Sequence, residues 1–160
     1  MDILIFLDVD GVLNTTNSRN TKFEILDKNV AVLGKLNDAL AGKGYLCKII
    51  LTSTWRLGYD ADYDKCSEQV QRLRRKLETV GIKIEGKIPV YKEKTRDVEI
   101  LRYIREYQLK NTEFSHIVLD DDVSIFDKDR VQKLNLYKVN QHTGLIEKDV
   151  KEIIKRLSRV

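Results

Sequence analysis

The sequence predicts an α/β fold in three Rossmann-like layers, a mainly parallel central sheet with helices on both faces. Two observations carry this. Short apolar runs alternate with segments of helical periodicity along the whole chain, the pattern of βαβ units. Polar, chemistry-bearing residues stand directly after those apolar runs, where open parallel sheets collect ligands.

The first run, residues 3–7, reads Ile-Leu-Ile-Phe-Leu and predicts a buried strand. It is too short for a membrane span and lacks a signal peptide's basic leader and small-residue cleavage site, so no membrane partner is expected. Residues 27–41 carry Val30, Leu33, Leu36 and Leu40 at helical spacing, with Asp27 as expected N-cap and Gly42 and Gly44 marking the end. Residues 46–51 predict a second buried strand. Val70, Leu73, Leu77 and Val80 then define a helix that stops at Gly81, followed by a short strand over 82–84. A third helix is expected over 97–107, and a strong strand over 117–119. Residues 134–139 read as an outer strand, and 148–157 as a closing helix with Val150, Ile153, Ile154 and Leu157 on one face. At 160 residues, with no repeat or linker, the chain is expected to form one domain, residues 1–160.

The residues that follow the runs form a coherent set. Asp8 and Asp10 follow the first strand, Thr52 and Ser53 the second; Lys94 and Arg96 precede the third helix, and Asp120, Asp121 and Asp122 end the later strand. Carboxylates brought together repel one another unless a cation sits among them, and an all-oxygen donor set suits Mg²⁺. Hydroxyl, backbone N–H and cationic groups beside them suit the oxygens of a transferring phosphoryl group. Gly11 lets the chain turn sharply next to the acids. Asp10-Gly11 alone would be turn chemistry, and the triple acid alone is equally a helix cap or a metal site. Their conjunction on strand ends points to a site.

The pattern Asp8-Val9-Asp10-Gly11-Val12 after an N-terminal strand, Thr52 after a second, a basic residue opening a helix, and paired Asp after a later strand resembles the four motifs of the haloacid-dehalogenase (HAD) superfamily in their order. Asp8-Val9-Asp10-Gly11-Val12-Leu13-Asn14, Leu51-Thr52-Ser53-Thr54-Trp55-Arg56 and Thr143-Gly144-Leu145 are further similar to the small HAD domains of RNA-repair proteins. The resemblance implies a Mg²⁺-dependent phosphatase working through an aspartyl-phosphate. Asp8 would be the nucleophile, Asp10 the general acid/base, and Asp8, Asp10 (by its main-chain carbonyl), Asp121 and Asp120 the metal ligands. Thr52 and Ser53 would bind phosphate with Arg96 or Lys94, and Asn14, Trp55 and Arg56 are candidate substrate contacts. For Trp55 and Arg56, packing under the loop and a structural ion pair is the equal alternative.

Neither the 14–24 loop nor the 57–93 stretch is long enough for a large cap domain, so the site is expected to be open to a bulky phosphorylated substrate, such as a nucleotide or a polynucleotide 3′ end. Two cysteines, with no Cys/His cluster at zinc spacing, favour a reduced, cytoplasmic setting. A formal charge of +4 favours anionic partners without choosing among them. Arg72, Arg74, Arg75 and Lys76 read as the solvated face of a helix rather than a nucleic-acid patch. Two other functions compete. One is a phosphoacceptor signalling module resembling a response-regulator receiver, which the motif order disfavours. The other is a nucleic-acid-binding HAD-like protein with weak catalysis.

Overall fold

A computed structural model describes residues 1–17, 24–92 and 94–158. The centre of the polar loop expected over 14–24 therefore lies outside the described residues, as does Glu93. Five strands, β1 (Asp2–Leu7), β2 (Leu46–Leu51), β3 (Ile84–Lys87), β4 (Phe114–Asp120) and β5 (Leu136–Lys138), form one sheet in the order β3-β2-β1-β4-β5. All four pairings are parallel. Helices α1 (Asp27–Ala41), α2 (Glu68–Glu78), α3 (Arg96–Gln108), α4 (Lys128–Leu134) and α5 (Glu147–Leu157) alternate with the strands.

The expected three layers follow from side-chain alternation in β1. Ile3, Ile5 and Leu7 pack into one core with α1, α2 and α5, while Leu4 and Phe6 enter a second core with α3 and α4. A strand buried on both faces needs a continuous apolar run, which residues 3–7 supply. Among the described residues no cap domain covers the carboxyl edge of the sheet, and no helix is long and apolar enough to cross a membrane.

The structure corrects four local expectations. Leu26, not Asp27, is the N-cap of α1; Asp27 opens the helix, where its charge suits the dipole, and pairs with Lys76 at 2.8 Å. β3 runs over Ile84–Lys87 rather than 82–84, because the Ile82 N–H closes the end of α2 on the Leu77 carbonyl at 3.0 Å, beside Gly81 at φ 73°. The outer strand keeps only Leu136–Lys138 of the expected 134–139, since Leu134 ends α4 and Asn135 turns left-handed at φ 48°. The helix α4 itself was unexpected. It is short and mostly polar, and the Asp127 side chain caps it by accepting from Asp129 N–H.

Candidate active site

Strand register brings the acids together. Leu7 of β1 is level with Leu51 of β2 and Leu119 of β4, so the three strands end at the same height. The pairing runs one step further, with Asp8 N–H donating to Leu119 O at 3.0 Å and Thr52 N–H to Leu7 O at 3.1 Å. Asp8, Thr52 and Asp120 thereby stand at one edge. Sheet order also reverses here: β2 and β3 continue to one side of β1, β4 and β5 to the other. This is the crevice where open α/β sheets bind ligands.

Beyond Asp8 the chain turns back through Gly11, held at φ 82°, a region that favours glycine. Val9, Val12 and Leu13 anchor the turn in the core. Asn14 is fully buried and stitches the turn closed: its Oδ1 accepts from Gly11 N–H at 2.8 Å, and its Nδ2 donates to Asp10 Oδ1 at 2.9 Å. The indole Nε1 of Trp55 donates to the other oxygen, Asp10 Oδ2, at 3.2 Å. Both oxygens of Asp10 are thus fixed by groups that can only donate to it.

A cavity of about 610 Å³ lies over the strand ends, lined by Asp8, Asp10, Ser53, Thr54, Arg96 and Asp120–Asp122, among others. Asp8, Asp120 and Asp121 each offer a carboxylate oxygen within 4.8 Å of the others. Burial pushes the Asp8 carboxyl well above the usual carboxylate range; the Asp120 charge adds to this and Arg96 opposes it. Burial likewise lifts Asp120 to about 6, against the pull of the Asp122 N–H and Arg96. Two buried carboxylates and the half-buried Asp121, mutually repelling and with only oxygen donors, fit a hard divalent cation such as Mg²⁺. The Asp10 side chain, turned to Asn14 and Trp55, is not part of this trio.

Arg96 opens α3, and its guanidinium reaches Asp120 at 3.0 Å and Asp8 at 3.5 Å. Lys94 is exposed and is not among the residues lining the cavity, so of the two candidate basic residues the fold brings Arg96 to the acids. Thr52 is fully buried, and its Oγ1 has no hydrogen-bond partner among the described residues. Such an atom calls for a reason, and a phosphoryl oxygen is one. Ser53 lines the cavity while its Oγ accepts from Trp55 N–H at 3.2 Å. Asp122 is exposed and accepts from the N–H and hydroxyl of Ser124.

The three candidate substrate contacts are placed differently. Neither Asn14, Trp55 nor Arg56 is among the lining residues. Asn14 and Trp55 hold Asp10, as above. Arg56 forms a buried ion pair with Glu99 at 2.8 Å and donates to the Thr52 carbonyl at 2.7 Å, so its charge is spent within the fold. It braces the Thr52 turn against α3.

Sequence reasoning missed Glu99, which also accepts from Tyr91 N–H, and a second wall made by Ser124, Ile125, Lys138 and Gln141. Reading residues after each apolar run, extended to the last expected strand, points to Asn140 and Gln141, whereas Lys138 lies inside that run. Glu99 gave no such signal, because it lies inside a helix whose buried side was read from its apolar residues.

The family described as HAD domain in Swiss Army Knife RNA repair proteins matches residues 4–150. No curated protein and no solved structure gives a significant match.

Proposed function

The chain belongs to the family of HAD domains in Swiss Army Knife RNA repair proteins, and from that membership we propose that it hydrolyses phosphomonoesters through Asp8, with polynucleotide ends as substrates. The observation that carries the reading is the trio of buried Asp8 and Asp120 with half-buried Asp121, faced by Arg96 on one side and, at the neighbouring strand end, by the Thr52 hydroxyl, which has no partner among the described residues. Asp8, Asp120 and Asp121 would hold a divalent cation, which when bound would supply positive charge against the repulsion between Asp8 and an approaching phosphate.

The residues divide the work. An Asp8 carboxylate oxygen attacks phosphorus, forming an acyl-phosphate bond as the bond to the leaving oxygen breaks. Asp10, as the acid, gives that oxygen its proton; as the carboxylate, it then takes a proton from the water that attacks phosphorus and frees Asp8 with inorganic phosphate. Arg96 and Thr52 bind the equatorial oxygens, where negative charge spreads in the transition state. Asn14 and Trp55 fix the Asp10 carboxylate beside the leaving oxygen, and the Arg56–Glu99 pair fixes the Thr52 turn.

The competing receiver-like phosphoacceptor sits poorly with the strand order, because that fold runs 2-1-3-4-5 whereas this sheet runs β3-β2-β1-β4-β5. Phosphate release from an aryl phosphate tests the reading. It should depend on Mg²⁺ and vanish in Asp8→Asn; wild-type protein without turnover, or turnover indifferent to Asp8, overturns it.

A further inference from the structure

The cleft continues past the carboxylates. A second cavity of about 410 Å³ shares Asp121, Lys138 and Gln141 with the first and extends over Val139, Asn140 and His142. The two make one open groove, which starts at the reacting acids and leaves over the end of β5.

Lys138 stands at the junction. It ends β5 with Asp120 of β4 as its Cα partner, about one strand spacing from that buried acid. Three other cations near the sheet edge are engaged among the described residues: Arg96 with Asp8 and Asp120, Arg56 with Glu99, and Lys87 with the carbonyls of Arg56 and Tyr59. Lys138 is exposed and forms no hydrogen bond or ion pair with any described residue. The wall that carries it is held in place. Val139 N–H donates to Asp120 O at 2.9 Å, Thr16 N–H to Gln141 O at 2.9 Å, and Gly144 N–H to Asn140 O at 2.8 Å. A cation on a pre-ordered wall binds an anion without first ordering a loop.

We propose that Lys138, with the amide side chains of Asn140 and Gln141, binds the phosphodiester next to the phosphomonoester under attack. The preferred substrate unit is then a terminal nucleotide phosphorylated on both its 3′ and 5′ oxygens, as at the phosphorylated end of a strand. This rests on Asp8 being the nucleophile at the other end of the groove. The lysine answers the flanking charge, and the amides donate to its oxygens. Placed beyond the reacting centre, the contact acts mainly on KM.

The test compares a nucleoside 3′,5′-bisphosphate with the corresponding 3′- and 5′-monophosphates and with an aryl phosphate, in wild type, Lys138→Gln and Lys138→Glu. Wild type should favour the bisphosphate by about fivefold or more in kcat/KM, an effect of the size expected for one exposed charge pair. The preference should shrink as salt rises. It should fall toward one in Lys138→Gln and invert in Lys138→Glu, while thermal melting shows all three proteins folded. In wild type, a phosphorylated dinucleotide with a neutral methylphosphonate linkage should lose the same advantage over its phosphodiester parent. The position of the phosphate released from the bisphosphate identifies the strand end. Turnover of every substrate with no preference, or a preference that survives Lys138→Gln, overturns this subsite and leaves the Asp8 reading standing. An inactive wild type overturns both.

Discussion

The indole N–H of Trp55 donates to Oδ2 of Asp10 at 3.2 Å, linking the turn after β2 to the turn after β1. With Asn14 on Oδ1, it fixes the carboxylate proposed to shuttle the proton. Trp55→Phe should therefore cost about tenfold in kcat on an alkyl phosphate, part of what general acid–base catalysis supplies. On a nitrophenyl phosphate, whose leaving group needs little protonation, the loss should be about threefold or less. Asp10→Asn should show the same selectivity more strongly. Equal losses of Trp55→Phe on both substrates would reduce the tryptophan to a packing residue.

Arg96 and Lys94 differ by two positions in sequence and by their placement in space. Arg96→Ala should lower kcat by about 10²–10³-fold, the cost of removing one charge-stabilising group from such a site. Lys94→Ala, at an exposed position, should stay within about twofold of wild type. Steady-state kinetics on an aryl phosphate checks both, and the reverse ranking would return the basic motif to Lys94.

The Arg56–Glu99 pair predicts a stability effect at a distance from the chemistry. Glu99→Ala leaves a buried guanidinium uncompensated and takes an acceptor from Tyr91 N–H, so unfolding free energy should fall by about 3–5 kcal/mol. Urea denaturation measures it. A loss of about 0.5 kcal/mol or less would mean that the pair is solvated in solution.

Metal-free stability should depend on pH in an unusual direction. Burial raises the folded-state carboxyls of Asp8 and Asp120, the latter to about 6, so folding favours their protonated forms. Their stabilising contribution is present below the unfolded-state value and is lost as pH rises through the folded one. Between about pH 7.5 and pH 5, Tm without metal should thus rise on acidification, and Mg²⁺ at the higher pH should restore stability. Below about pH 4, Asp2, Asp97, Asp122 and Glu147 reverse the trend. Their folded-state values are lowered, and the stability they contribute is lost as pH falls through those values. Differential scanning calorimetry with and without chelator reads this, and a Tm that falls steadily from neutral pH would contradict it.

Gly144 sits at φ 64°, with an added Cβ placed 2.6 Å from Asn29 Nδ2. That amide donates to the carbonyls of Thr143 and Leu145, pinning this loop to α1. Gly144→Ala should destabilise by about 1–3 kcal/mol, measured by thermal melting. A neutral result would show that the loop shifts freely.

The parts legible in the sequence are those where one residue type has one use. Continuous apolar runs gave the three central strands, and acids immediately after them gave the site's centre. What escaped had mixed signals. β3 carries Glu85, Gly86 and Lys87 because an edge strand need not be apolar, and α4 is a short polar helix whose main cue is its Asp127 cap. Arg56 and Trp55 were ambiguous because their partners, Glu99 and Asp10, lie 43 and 45 positions away. Lys138 was hidden in a strand whose end was expected one residue later, at Val139. For Arg56 and Trp55 a long-range contact, not local pattern, decides the role.

In the proposed reaction Asp8 accepts the phosphoryl group. Rapid acid quench of wild type with a ³²P-labelled phosphomonoester and Mg²⁺ measures it directly. Label should appear on the protein, be released by hydroxylamine as expected for an acyl phosphate, map to the peptide containing Asp8, and vanish together with turnover in Asp8→Asn. Turnover at full rate by Asp8→Asn, or label that maps to any other residue, would contradict it.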